Sequence, residues 1–391
     1  MATFEAKVCK LTIEEHPNAD ALELARIGGY VSAVKKGEFK TGDLGVYIPE
    51  AAIVPEWMLE KMGLTGRLAG KNKNRVKATR LRGIMSQGLV YPVEFRPNCV
   101  ETNTGTERGK IKDIYCITRE EGGAGYLVEE GDDVTELLGI SKYIPKIPTS
   151  MSGEVFNAFG NTPKYDIENI KRYPDVIKCC EEVSLTEKIH GTWACFGYHP
   201  EYDFPLITSK GLSEKGLAFK YNSKNIRENL YVKVFESYTD KDQCDMIENF
   251  IYFAMNSDWD SWTEPFYLLG EIFGSNVQDL KYGDTPSNFR LFDVYVGQPG
   301  EGRYLDVDEV KGIAKSLNLE YVPELYRGPS SYEKLTEYTD GKETVSGKEV
   351  HMREGVVIRP LTERRDEELG RVILKSVSDI YLDRKNGTEY N

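Results

Sequence analysis

The sequence predicts an α+β protein of two domains, a small antiparallel barrel followed by a domain of antiparallel sheets flanked by helices. Three observations predict it. Up to about residue 140 the chain breaks into short strand-like runs set off by Gly, Pro and Asp. Tyr143–Gly153 then packs two prolines, two serines and a glycine into one stretch, the composition of an inter-domain linker. Beyond it, strand-like runs are separated mostly by turns rather than by single crossover helices, which favours antiparallel sheets over a doubly wound fold.

In the first part the runs Glu5–Ile13, Leu22–Ile27, Tyr30–Val34, Leu44–Ile48 and Gln87–Val93 read as strands. Helical spacing appears at Pro55–Met62, a segment suited to plug or cap a barrel. About five short strands suit a small barrel such as the OB-fold, with a plain β-sandwich as the competing reading. The boundary is expected near 145–160, giving domains 1–150 and 151–391. In the second domain the expected strands are Val183–Lys188, Thr192–Tyr198, Pro205–Ser209, Phe266–Phe273, Phe289–Val296, Glu354–Arg359 and Arg371–Leu374. The expected helices are Asn225–Thr239, Lys241–Met255, Asp306–Asn318 and Ser331–Tyr338.

Of the 391 residues, 40% are apolar and 29% charged, the balance of a soluble globular protein. No apolar run approaches the roughly 20 residues that span a bilayer, so no membrane partner is expected. The N-terminal residues lack an apolar signal region. Seven cysteines without a Cys-x-x-Cys pair predict neither a disulfide framework nor a structural zinc site. They fit a cytoplasmic or other intracellular reducing compartment. The net charge of −13 argues against a surface basic throughout, but nucleic-acid affinity depends on local patches. One patch is evident: Arg67, Lys71, Lys73, Arg75, Lys77, Arg80 and Arg82 lie in residues 65–88 with no Asp or Glu among them. A solvated loop face would give the same pattern.

The chemistry centres on Glu187-Lys188-Ile189-His190-Gly191-Thr192. Lys188 ends an alternating strand, and Gly191 allows a tight turn and close backbone approach by a ligand. A lysine there, partly shielded from water and near a metal, can become nucleophilic. Later strands each carry a charged residue in an apolar run: Glu271 within Phe266–Gly274, Glu354 and Arg359 within Glu354–Pro360, and Lys375 after Arg371–Leu374. Phe289–Val296 carries Phe292. A buried charge on each strand is costly unless the charges converge on one polar ligand, so these strands point to a single site for an anionic, aromatic molecule with a metal. Strict alternation turns Glu354 opposite to Val357 and Arg359, so all three reach one ligand only across an irregularity, and a bulge is expected at Gly355. Glu354 in solvent beside regular pairing would count against a metal role for it.

Taken in order, these segments resemble motifs I, III, IIIa, IV and V of the covalent nucleotidyltransferases, the superfamily of ligases and capping enzymes. The Lys-Ile-His-Gly form of the first is similar to that of RNA ligases rather than to the Lys-x-Asp-Gly common in DNA ligases. His16-Pro-Asn-Ala-Asp20, Gly42–Pro49 and Arg80–Leu89 look like the OB module of the Deinococcus/Naegleria type of RNA ligase. The resemblance thus covers most of the chain. It implies an N-terminal OB-fold β-barrel and a nucleotidyltransferase (ATP-grasp-like ligase) domain. It also implies an ATP-dependent ligase needing Mg²⁺ or Mn²⁺, acting as a monomer on RNA or an RNA-containing nicked duplex.

Residue by residue, the resemblance makes Lys188 the attacker of the ATP α-phosphate. Glu187 and Ile189 would line the adenine pocket, Phe292 would stack on the base, and Val357 would pack its other side. His190 would orient the turn at Gly191. Glu271 and Glu354 would bind ribose or orient a metal and its waters, Arg359 and Lys375 would hold phosphate oxygens, and Lys210 would contact phosphate or ribose. Three departures stand out: Ile373 replaces a frequent basic residue, Trp193 a frequent Asn, and Lys210 a frequent Arg. With 16 residues after Lys375 (391 − 375), the C-terminal OB domain of DNA ligases and capping enzymes is not expected. The alternatives are a GTP-using capping-type enzyme, a DNA ligase, or a non-catalytic RNA-binding protein.

Overall fold

A computed structural model describes residues 3–100, 111–118, 125–238, 264–384 and 387–388. The chain divides into two compact units, Thr3–Ile144 and Pro145–Asn391.

The first unit is built of short antiparallel ladders. Lys7–Lys10, Leu44–Ile48 and Leu89–Pro92 form one sheet, and Thr12–Glu15, Leu22–Ile27 and Tyr30–Lys35 a second. A third holds Glu94–Val100, Ile111–Ile117 and Tyr126–Leu127. Alternation sends Val8, Val46 and Ile48 into one core, and the helix Glu56–Lys61 presses Met58 and Leu59 into the same core. Burial of each such side chain contributes about 1.5–3 kcal/mol. The ladder Glu94–Val100/Ile111–Ile117 has no clear pattern in the sequence, because its register shifts between Arg96 and Cys99. Pro97 lies in that break, where its missing N–H removes a ladder bond.

The second unit stacks two sheets. A seven-stranded sheet runs in the order Val155–Asn157, Leu217–Phe219, Leu206–Ser209, Thr192–Tyr198, Phe266–Phe273, Asn288–Val296, Arg303–Tyr304. A five-stranded sheet runs Glu168–Asn169, Leu374–Val377, Gly355–Pro360, Glu182–Lys188, Glu324–Pro329. One face of the larger sheet, with Phe196, Leu268, Phe289 and Leu291, is covered by the helices Leu230–Glu236 and Val307–Ser316. Its other face joins the smaller sheet through a shared core of Trp193, Cys195, Tyr267, Leu269, Tyr295 and Ile373, with Phe292 and Val357 packed on it.

Local chemistry explains the departures from the sequence reading. The single helix expected at Asn225–Thr239 is two, Ser223–Glu228 and Leu230–Glu236. Asn229 adopts extended backbone between them, and its side chain accepts from the Val232 N–H as an N-cap. The strand expected at Arg371–Leu374 is likewise split into Gly370–Arg371 and Leu374–Val377. The helix expected at Lys241–Met255 lies outside the described residues. Among the described residues no helix is long and apolar enough to cross a membrane, and Cys9, Cys116, Cys179, Cys180 and Cys195 are free thiols.

Candidate active site

The two facing sheets bring most of the expected residues of the second unit to one place. In Glu182–Lys188, Lys188 pairs with Gly355 and Thr186 with Val357, and Val357 pairs in turn with Lys375. Directly paired residues share a face, so Lys188, Val357, Arg359, Ile373 and Lys375 all look toward the larger sheet. Ile373 fills the shared core there instead of carrying charge. From the opposite sheet, Glu271 lies on the same face as Leu269, which belongs to that core, and is the cross-strand partner of Trp193.

Pairing through Gly355 is regular, so the bulge expected there is absent. Glu354 is nonetheless not in solvent: it is 9% exposed. It lies just before the strand, and Gly355 turns it inward with a φ of 151°, a backbone angle open chiefly to glycine. A Cβ at Gly355 would also stand 2.0 Å from the Ser376 carbonyl oxygen. The bulge sits instead in Asn288–Val296, where the register shifts as Leu269 pairs with Asp293 and Gly270 with Leu291. Phe292 is the extra residue. Phe292 and Asp293 therefore both serve the inner face, Phe292 in the shared core and Asp293 bonded to Tyr165 and Arg359.

Lys188 Nζ lies 2.6 Å from Glu354 Oε1. Burial raises the Glu354 pKa, but Lys188 and then His190 outweigh it and hold the carboxyl down at about 2. Glu271 is the converse: burial drives it up to about 8, with Lys188 opposing and Glu354 reinforcing. Lys375 is pulled down to about 8, first by burial and then by the nearby cations Lys188 and Lys210. The centre thus holds two carboxyl groups, only that of Glu354 held firmly ionised, beside the amines of Lys188, Lys210 and Lys375. Such a cluster suits phosphate oxygens together with a cation. Gly191 is required beside it, since a Cβ would meet the Ile272 carbonyl oxygen at 2.1 Å and Glu271 Cγ at 2.9 Å.

His190 is 3% exposed and held on several sides. Its Nε2–H donates to Asp279 Oδ1 at 2.8 Å. Its Nδ1 stands 2.9 Å from the Tyr381 hydroxyl and 3.7 Å from Glu354 Oε2. Its backbone N–H donates to the Tyr282 hydroxyl at 2.7 Å, and Gln278 Nε2 donates to the Gly191 carbonyl at 2.8 Å. Burial lowers the imidazole pKa, yet Asp279 and Glu354 raise it further, and the net shift is upward. Asp279, Tyr282 and Tyr381 were invisible to sequence reasoning because they sit in loops and a short helix without periodicity or motif.

Four of the expected site residues also have partners within the protein. Arg359 is 2% exposed and already engaged, its Nη1 3.3 Å from Asp293 Oδ1 and its Nη2 donating to the Leu305 carbonyl at 2.7 Å and to Glu363 Oε1 at 2.5 Å. This network occupies both terminal nitrogens, while Nε is buried without a hydrogen-bond partner. Glu187 faces away from Lys188 by strand alternation, and its Oε2 accepts from the Thr344 N–H and hydroxyl at 2.7 Å each. Oε2 thus anchors the Thr344 turn, while Oε1 is buried without a hydrogen-bond partner. Ile189, 3% exposed, packs with Phe273, Tyr282, Val322, Val345 and Phe292. Lys210 opens the short helix Lys210–Ser213 and pairs with Asp166 at 3.1 Å.

In the first unit, Lys71, Lys73, Lys77, Arg80 and Arg82 are exposed, as is Arg67. Arg75 departs from this group: it is half-buried, stacks over the Tyr143 ring at 4.3 Å and exchanges backbone hydrogen bonds with Ala69. The conspicuous His16 and Asn18 brace the hairpin Thr79–Leu81/Ile84–Ser86 that carries Arg80 and Arg82. The His16 ring meets the Leu81 carbonyl at 3.2 Å, and Asn18 Nδ2 donates to the Arg82 carbonyl at 3.0 Å.

Among the described residues no group of three or more His, Cys, Asp or Glu side chains is placed to hold a metal ion. The donor set of Glu271 and Glu354 fits a hard divalent cation whose remaining ligands are water or phosphate oxygens.

A lysine-tipped strand in one of two facing sheets, preceded by a unit of short strands, defines a ligase-type fold. The family model for RNA ligase matches residues 181–377, about half the chain, and an OB-fold domain model matches residues 6–93. The chain belongs to the RNA ligase family. The OB-fold match decides the barrel over the sandwich for the first unit. No curated protein matches the chain. Among solved structures, a Naegleria gruberi RNA ligase mutant with ATP and Mn has a TM-score of 0.71 at 23% identity, over 96% of this chain and 97% of that one. RNA ligase from the same organism with PPi has a TM-score of 0.70 at 24% identity, over 97% and 98%. A mutant with AMP and Mn has a TM-score of 0.71 at 23% identity, again over 97% and 98%. At these identities the likeness establishes the fold.

Proposed function

We propose that this RNA ligase uses ATP to load an adenylyl group onto Lys188, passes it to a 5′-phosphate end, and seals that end to a 3′-hydroxyl, with a nicked RNA-containing duplex as substrate. The observation that carries the reading is the placement of Lys188 Nζ, 2.6 Å from Glu354 and on one face with Val357 and Lys375.

In the first step the deprotonated Lys188 amine forms an N–P bond at the α-phosphate as the bond to pyrophosphate breaks. Phe292 and Ile189 supply an aromatic and an aliphatic wall for the purine, and Val357 packs against it. Lys375 and Lys210 hold phosphate oxygens as point charges. Glu271 and Glu354 would hold the divalent cation, which when bound neutralises charge on the phosphates. In the second step the adenylyl group moves from Lys188 to the 5′-phosphate. In the third, the 3′-hydroxyl displaces AMP. Both again depend on basic residues placed around an in-line displacement.

Arg359 has no part in this scheme. The exposed cations Lys71, Lys73, Lys77, Arg80 and Arg82 are the proposed grip on nucleic acid. The enzyme is proposed to act as a monomer in a reducing intracellular compartment.

The test is incubation of the wild type and Lys188→Ala with α-labelled ATP or GTP and Mg²⁺ or Mn²⁺. Covalent label from ATP that is lost in Lys188→Ala supports the reading. Label only from GTP would point to a capping-type enzyme, and label that survives the substitution would place the chemistry elsewhere. Nicked duplexes with RNA or DNA on each side then define the substrate, and sealing confined to all-DNA nicks would contradict it.

A further inference from the structure

Four side chains, His190 among them, close on one another. His190 Nε2–H donates to Asp279 Oδ1 at 2.8 Å, and Asp279 Oδ2 accepts from Arg384 Nε at 3.0 Å. The Arg384 guanidinium lies 3.6 Å over the Tyr381 ring, and the Tyr381 hydroxyl returns to His190 Nδ1 at 2.9 Å. Thr388 adds its N–H to Asp279 Oδ1 at 2.7 Å. His190 and Arg384 are nearly buried, with side chains 4% and 7% exposed. This ring of side chains reaches Lys188 through His190, whose Nδ1 is 3.7 Å from Glu354 Oε2 while Glu354 Oε1 is 2.6 Å from Lys188 Nζ.

We infer that Asp279, Tyr381 and Arg384 are positioning residues for adenylyl transfer: they fix the His190 imidazole, and His190 fixes the Glu354 carboxyl that sets the Lys188 side chain. The segment after the strand Leu374–Val377 thereby takes part in placing the nucleophile. A lysine side chain has four rotatable carbons and costs up to about 2 kcal/mol to immobilise, so a carboxylate held from behind is an effective way to keep Nζ in line with a phosphorus. Asp279 suits this role because its two oxygens divide the work, Oδ1 taking His190 and Oδ2 taking Arg384. The Tyr381 hydroxyl then limits rotation of the ring about the Asp279 bond. Partners of this kind behind a site typically alter activity by about 10- to 100-fold when removed.

The inference rests on the reading of Lys188 as the adenylyl acceptor, and one experiment separates the two. Single-turnover formation of the covalent adduct from α-labelled ATP and Mn²⁺ is followed for wild type, Asp279→Ala, Tyr381→Phe, His190→Ala and the double variant Asp279→Ala/His190→Ala. If the wild type forms no adduct, the functional reading itself fails. If it does, Asp279→Ala is expected to slow the step at saturating ATP by about 10- to 100-fold, with the half-saturating ATP concentration moving less than about threefold. Tyr381→Phe, which keeps the ring and its packing, is expected to slow it several-fold. In the His190→Ala background, Asp279→Ala is expected to cost nothing further, because its effect passes through the imidazole. A residue that merely supports the fold would give losses that multiply in the double variant. Multiplying losses, or a wild-type rate in Asp279→Ala, would overturn the inference.

Discussion

Two groups of buried charge lie between the same pair of sheets, and they differ in kind. One joins Asp293 and Glu363 to Arg359 and Arg371. Arg371 Nη2 is 2.7 Å from both Asp293 Oδ2 and Glu363 Oε1, and Asp293 is fully buried. The other joins Glu271 and Glu354 to Lys188, with Lys375 nearby. In the first, planar guanidinium forks match carboxylates and the charges balance, two against two. In the second the cations are ammonium groups on flexible stems, and burial above all drives Glu271 up to about 8 and, with the neighbouring cations Lys188 and Lys210, pulls Lys375 down to about 8. The difference teaches that a buried ion network closed by arginines is scaffold, whereas one built on lysines keeps groups that can lose a proton or take a phosphate.

Substitutions can break that contrast. The largest effect is expected from Asp293→Ala, which leaves two guanidinium groups facing each other and should cost roughly 3–5 kcal/mol, read as a lower denaturation midpoint. Any protein that folds should still form the Lys188 adduct. Glu354→Gln should do the reverse, slowing adduct formation by about 10²- to 10³-fold while moving the midpoint far less. If Glu354→Gln proves the more destabilising of the two, the contrast fails.

The pH dependence of ATP binding sharpens it. Because the Lys375 pKa is lowered to about 8, its proton leaves well below the usual lysine range. The cation that would hold phosphate is present below that value and lost above it. Between pH 7 and 9 the half-saturating ATP concentration should rise by up to about tenfold. Lys375→Arg, which stays charged, should flatten the rise, and an unchanged pH profile would remove Lys375 from the phosphate site. The smallest effect belongs to the exposed patch. Lys71→Glu and Lys73→Glu should weaken RNA binding uniformly across sequences. Each should also lower the salt slope by about 1 for every phosphate no longer neutralised, as filter binding at several salt concentrations would show.

The strands that carry the site were readable because apolar alternation and punctuation by glycine mark them: Thr192–Tyr198 and Phe266–Phe273 fall where periodicity puts them. What alternation could not supply was the partner of each charge. Arg359 has the apolar setting expected of a phosphate ligand, but Asp293 from another strand and Glu363 four residues on occupy its terminal nitrogens. Arg75 reads as one more cation in a basic run until Tyr143, distant in sequence, covers it. The irregular residue was expected at Gly355 and occurs at Phe292, because a glycine can turn its neighbour through φ alone without adding a residue to the ladder. Asp279 and Tyr381 lie far from His190 in sequence and in no repeating pattern, so only the folded chain reveals them.

The most direct test of the division between the two charge groups is peptide mapping by mass spectrometry after incubation with ATP and Mn²⁺. A single adenylyl group on the peptide that contains Lys188, absent in Lys188→Ala and still formed in a folded Arg359→Met variant, is the predicted result. An adenylyl group on any other peptide, or loss of the adduct from folded Arg359→Met, would contradict the account.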